Sequence, residues 1–129
     1  MSIQKKDEAS VIAVILAANT DFGRCKLASR IPPALWPIED KPAIIKVLEA
    51  LAKLPVEKTI ICCNGNKTLL AETIENRNFT NLIYLDEKMP FGSAGCIREA
   101  ARISAGELLI IVPAQLVDMP DITEVINAH

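Results

Sequence analysis

The chain has 129 residues and a formal net charge of −2, with 50% hydrophobic but only 4% aromatic residues. It is long enough for a single domain whose core is built from Ile, Leu, Val and Ala. Its acid–base balance argues against a general nucleic-acid binder, and no apolar run is long enough to span a membrane.

The first ten residues, "MSIQKKDEAS", are polar and of mixed charge. They read as a flexible N-terminal tail, and the apolar run after them is too short for a signal peptide. Residues 11–129 then read as one domain. Its first element is "VIAVILA" (11–17), a continuous apolar strand. From Ala18 to Asp40 follows a long stretch with Gly23, Pro32, Pro33 and Pro37 and little periodicity. Loops of that length in a compact domain are usually functional or disordered. This one holds Arg24, Lys26 and Arg30, with no acidic residue between Phe22 and Ile38. Such a loop could attract a phosphate-bearing ligand.

"DKPAIIKVLEALAKL" predicts a helix with Asp40 as N-cap and Pro42 in its first turn. Ile44, Ile45, Leu48, Leu51 and Ala52 form its apolar face. "KTIICC" (58–63) is a second strand. Its adjacent Cys62 and Cys63 should face opposite sides of a sheet as buried, reduced thiols. With Cys25 and Cys96 they form neither CxxC nor a paired framework. Asn64, Gly65 and Asn66 then make a turn into a helix over 67–77, with Leu69, Leu70 and Ile74 on one face. A third strand covers 81–85, a third helix 93–104 closed by Gly106, and a fourth strand 107–112. The final helix, "DITEVINAH", starts with Asp121 and Glu124 at capping-box spacing.

The βαβαβαβα order, with uninterrupted apolar strands, predicts an α/β fold. The expected architecture is a three-layer, doubly wound, mostly parallel sheet. Ligands in such sheets bind beyond the carboxyl ends of the strands at the switch point, which the long loop after the first strand would border. Other signals fail. "NGNKT" (64–68) is not a phosphate-binding P-loop, no GxGxxG follows the first strand, and the only histidine is the terminal His129. "PFGSAGCIREA" (90–100) places Gly92 and Gly95 around small residues at a helix entrance. There backbone can approach a flat ligand and the helix N-terminus favours an anion, although Ser93 could equally be an ordinary N-cap.

Together, "VILAANTDFGRCKLASRIPPALWPIEDKPAI", "PFGSAGCI" and "LLIIVPAQLVDMPDITEVINAH" resemble the N-terminal half of sugar-phosphate nucleotidyltransferases. That family joins an NTP to a sugar 1-phosphate and releases pyrophosphate. The resemblance covers about residues 11–129 and implies a Rossmann-like, GT-A-like half that would pack against a C-terminal sugar-binding half. It follows the order of the family's LAGGxGTRLxP loop, PK(P/A)LLP segment and P(L)GTAGA(L) motif. The separation of Leu16 from Pro32 matches the family's spacing.

The resemblance implies nucleotide contacts at Ala17, Ala18, Asn19, Gly23, Arg24 and Lys26 around the phosphates. Gly92, Ser93, Ala94 and Gly95 would lie beside the base. The departures fall where chemistry would be. The family's loop glycines become Ala18, Asn19 and Asp21, and its arginine falls on Gly23 with Arg24 one position away as the candidate catalytic cation. Its lysine falls on Pro33. The aspartate expected to hold Mg²⁺ falls on Gln115, a poor ligand for that ion, and Asp118 is better placed to start a helix. Removing one charge-stabilising group typically costs roughly 10²–10³ in rate.

The expected protein is thus a cytoplasmic nucleotidyltransferase-like domain that binds an NTP, an NDP-sugar or a sugar 1-phosphate. It would be catalytically weak or inactive, without a metal ligand of its own. The alternatives are the N-terminal part of an active enzyme using Arg24 or Lys26 in altered roles, and a non-catalytic regulatory module. Partners expected are small molecules rather than nucleic acid or membrane. A homodimer, or packing with a missing C-terminal half, would cover an exposed sheet edge.

Overall fold

The computed structural model describes residues 11–17, 31, 33–63, 67–86, 92–104, 108–114 and 122–128. Four parallel strands form the central sheet: β1 (Val11–Leu16), β4 (Lys58–Cys63), β5 (Leu82–Asp86) and β6 (Leu108–Pro113), in the order β5-β4-β1-β6. Two short strands, β2 (Pro37–Ile38) and β3 (Lys41–Pro42), form a separate antiparallel hairpin. The helices are α1 (Ala43–Leu51), α2 (Lys67–Glu75), α3 (Gly92–Ser104) and α4 (Thr123–Ala128), with a 3₁₀ turn at Pro33–Leu35.

β1 and β4 are buried on both faces, which is why they read as unbroken apolar runs. Ala13, Ile15, Ile61 and Cys63 belong to one cluster with Ile44, Ile45, Val47, Leu48 and Leu51 of α1 and with Leu70 and Ile74 of α2. Ile12, Val14, Ile60 and Cys62 form a second cluster with Ala100 of α3. The sheet therefore lies between α1 and α2 on one side and α3 on the other, the expected three-layer α/β architecture. Cys62 and Cys63 divide between the two faces as the period-2 rule requires. Both are buried and neither is in a disulfide.

Several boundaries differ from the sequence expectation. Asp40 does not cap α1. The N-cap position is Pro42, at φ −58° and ψ 144°, and no side chain caps the helix. Pairing of β2 with β3 holds Lys41 and Pro42 extended, so neither can enter the first turn. Ala43 N–H instead donates to the Trp36 carbonyl at 2.8 Å, and backbone thus satisfies one of the helix's unpaired amides. Glu39 and Asp40 form the hairpin turn, with Glu39 at φ 62°. The end of the predicted loop is consequently ordered structure.

Helix α1 ends at Leu51, leaving Ala52 exposed beyond it rather than on the apolar face; Val47 takes a buried place instead. Helix α2 stops at Glu75, and Leu69 is 43% exposed, because only Leu70 and Ile74, one turn apart, reach the sheet. The expected helix starts at Asp121 and turns at 64–66 and Gly106 lie outside the described residues.

Candidate functional site at the strand termini

The strand order shows where a site belongs. From β1 the chain crosses to β4 and then outward to β5, and α3 carries it back to β6 on the other side of β1. The direction of winding therefore reverses between β1 and β6. In open parallel sheets that reversal opens a crevice beyond the carboxyl ends of the strands.

Leu16 and Pro113 are register partners at those ends. Ala17 N–H donates to the Cys62 carbonyl at 3.0 Å, and Ala114 N–H donates to the Leu16 carbonyl at 3.2 Å. Both alanines are buried. A larger side chain at either position would push into the packed rim. From this rim the chain departs into residues 18–30 on one side and into 115–121 on the other. Ala18, Asn19, Gly23, Arg24, Lys26 and Gln115 all lie outside the described residues. Of the expected phosphate-side residues, Ala17 is the one within them.

Gly92, Ser93, Ala94 and Gly95, expected on the base side, form the first turn of α3. This helix links the carboxyl end of β5 to the amino end of β6, so its N-terminus lies on the same rim as Ala17 and Ala114. No acidic residue stands in its first turn, and Gly95 is buried. The helix end thus offers backbone N–H groups and positive dipole character without a competing carboxylate.

The returning end of the long loop is fixed firmly. Ala34 of the 3₁₀ turn is buried in the cluster that also holds Ala17. Trp36 Nε1 donates to the Ile31 carbonyl at 2.9 Å. The hairpin is tied to α1 by Lys41 Nζ, which reaches both Glu49 oxygens at 3.0 and 2.9 Å. Lys46 of α1 in turn meets Glu39 of the turn at 3.3 Å. Two lysines near the loop are thereby committed to carboxylates.

One residue at the rim was missed from the sequence. Asp86 ends β5 beside Cys63, one position past the predicted strand. The signal was the carboxylate closing an apolar run. On the same strand, burial pushes the Tyr84 phenol above its usual range, with Cys63 and Glu75 adding to the shift.

Among the described residues, no three His, Cys, Asp or Glu side chains gather as a metal site. A cleft of about 210 Å³, lined by Leu48, Leu51, Val56, Thr59, Phe79 and Leu82 among others, lies at the opposite, amino-terminal end of β4 and β5.

The layered parallel sheet and its switch-point rim define the class: an α/β domain with a Rossmann-like architecture. No protein-family model matches the chain. Among curated proteins it is 24% identical over 119 residues to the D-glycero-alpha-D-manno-heptose 1-phosphate guanylyltransferase of Aneurinibacillus thermoaerophilus. That match covers 91% of this chain and 51% of the relative.

Among solved structures, HddC from Yersinia pseudotuberculosis complexed with GMP-PN aligns with a TM-score of 0.69 at 20% identity, over 82% of this chain and 50% of that one. A UDP-glucose pyrophosphorylase complexed with UDP-glucose aligns with a TM-score of 0.69 at 18% identity, over 92% and 53%. Rv0371c from Mycobacterium tuberculosis H37Rv aligns at 0.67 and 14%, over 93% and 58%. The resemblance read from the sequence motifs is borne out: the chain is similar to sugar-phosphate nucleotidyltransferases and spans about half the length of the curated relative it matches. That span is consistent with an N-terminal half. Among the described residues, no helix is long and apolar enough to cross a membrane.

Proposed function

We propose that this chain is a nucleotidyltransferase-like domain that binds an NTP, an NDP-sugar or a sugar 1-phosphate weakly at the β1–β6 rim, with little or no transferase activity of its own. The observation that carries this reading is that the α3 N-terminus, with its Gly92-to-Gly95 turn, and the end of β1 lie on the same carboxyl-terminal rim of the sheet. Phosphoryl-type transfer depends on cations and metal ions placed around the phosphates. In this chain the loop glycines are replaced, the lysine position is Pro33 and the metal position is Gln115. Arg24 is the remaining cation assigned to the phosphates, with Lys26 beside it. The buried thiols Cys62 and Cys63 suit a reducing compartment such as the cytoplasm.

Calorimetric titration of NTPs and NDP-sugars, with and without Mg²⁺, tests the proposal. Weak saturable binding is expected, reduced by Arg24→Ala and by Gly95→Leu, without pyrophosphate release. A folded chain that binds none of these ligands would overturn it.

A second reading draws on the half-length match: the chain would be part of a longer active transferase, or would work with a companion half. It predicts pyrophosphate release from the complete assembly, lost on Arg24→Ala. A purely regulatory module would instead show no ligand-induced change in melting temperature.

A further inference from the structure

The cleft at the amino-terminal end of β4 and β5 lies at the opposite end of the strands from the β1–β6 rim. All of its lining residues fall between Leu48 and Leu82. β1 stands between it and β6, so its walls owe nothing to that side of the sheet. Backbone bonds fix the two connections that form its mouth. Leu54 N–H donates to the Leu51 carbonyl at 3.0 Å, and Val56 N–H to the Leu54 carbonyl at 2.8 Å. Glu57 N–H reaches the Val11 carbonyl at 2.8 Å. On the other side, Thr59 N–H donates to the Asn81 carbonyl at 3.0 Å. Asn81 takes φ 58°, a left-handed conformation that asparagine adopts more readily than most residues. The cleft is therefore built into the fold.

Thr59 decides what the cleft can hold. Among the described residues it is the one buried polar residue, at 7% exposed. By strand alternation it shares the α1 face of the sheet with Ile61 and Cys63. There it lines the cleft with Leu48, Leu51, Phe79 and Leu82. Its backbone N–H is taken by Asn81, and no described residue gives its hydroxyl a hydrogen bond. A buried hydroxyl without a partner is costly, and native structures rarely leave one unmatched. At about 210 Å³ the cleft is far larger than one water needs. An apolar cavity of about 150 Å³ admits benzene, so this one has room for a ring with a substituent. Its two charged lining residues, Glu57 and Lys58, are of opposite sign, which favours a neutral occupant.

We propose that this cleft binds a compact, neutral ring compound carrying one hydroxyl or carbonyl group. That group bonds to the Thr59 hydroxyl, which can donate to a carbonyl and can donate to or accept from a hydroxyl. The ring packs against Leu48, Leu51 and Leu82 and meets the one aromatic wall, Phe79. Binding thus supplies the partner that the fold leaves out and covers apolar surface at the same time. Because the walls are already held by backbone bonds, little ordering opposes it. The site is separate from the β1–β6 rim and independent of nucleotide binding there.

Titrating the chain with phenol and following its amide chemical shifts tests the proposal. Saturable changes are expected at Thr59, Phe79 and Leu82, and none at Ala17 or Ala114. Ring protons of bound phenol should show nuclear Overhauser contacts to the methyl groups of Thr59 and Leu82. Toluene supplies the same ring without the hydroxyl. The ratio of phenol to toluene affinity should fall about three- to tenfold in Thr59→Val, which exchanges the hydroxyl for a methyl group. Thr59→Ser, which keeps the hydroxyl, should preserve the ratio. Phenol that leaves the cleft amides unmoved, or makes no contact with Thr59 and Leu82 in the wild-type chain, would overturn the proposal. So would an unchanged ratio in Thr59→Val.

Discussion

The amide of Ala114 donates to the carbonyl of Leu16 at 3.2 Å, holding the ends of β6 and β1 level where the winding of the sheet reverses. With Ala17 bonded across to Cys62, this contact makes the floor of the candidate site. Both alanines are buried, so their small size is a packing requirement. Ala114→Leu is expected to destabilise the fold by about 1–3 kcal/mol through overpacking. Urea unfolding followed by the fluorescence of Trp36, the sole tryptophan, should show a lower midpoint and an unchanged slope.

Ile44 and Leu69 make a contrasting pair. Ile44 is fully buried between α1 and the sheet, and Ile44→Ala should cost about 2–5 kcal/mol by leaving a cavity. Leu69 is exposed on α2, and Leu69→Ala should stay within about 0.5 kcal/mol of the parent. Equal losses in denaturant unfolding would contradict the burial pattern.

The Lys41–Glu49 contact joins the hairpin to α1, with its side chains 34% and 41% exposed. Solvent screens a pair of this kind, so a double-mutant cycle on Lys41→Ala and Glu49→Ala should return a coupling of about 0.2–1 kcal/mol. The coupling should shrink as salt is raised. A value that is insensitive to salt would mean that packing, rather than charge, ties the hairpin down.

Tyr84 is the sole tyrosine, so its ionisation can be followed directly by ultraviolet absorbance. Burial chiefly, with Cys63 and Glu75 adding, raises its pKa above the ordinary 10.0. The folded state therefore holds this proton more tightly than the unfolded chain does. Its contribution to stability is complete below pH 10 and is lost as pH climbs through the raised folded value. Tyr84→Phe should flatten that alkaline loss. A titration midpoint at or below 10 in the native protein would contradict the packing of β5.

Much of this architecture was legible in the order of residues. Continuous runs such as "VIAVILA" and "KTIICC", short and bounded by polar turns, read as strands covered on both faces, and the helical spacing of Ile44, Leu48 and Leu51 marks the face that covers them. The motif order also carried the family resemblance, because glycines and prolines at set distances record backbone geometry rather than packing. Other features could not be read locally. Asp40 has every local property of an N-cap, yet the pairing of Pro37–Ile38 with Lys41–Pro42 keeps it in a hairpin turn. Leu69 and Leu70 are identical residues side by side, and only the approach of α2 to the sheet buries one and leaves the other in water. Strand order is likewise a relation between distant segments. Adjacent runs in the chain do not reveal that β6 returns beside β1, which is what places the winding reversal at Ala17 and Ala114.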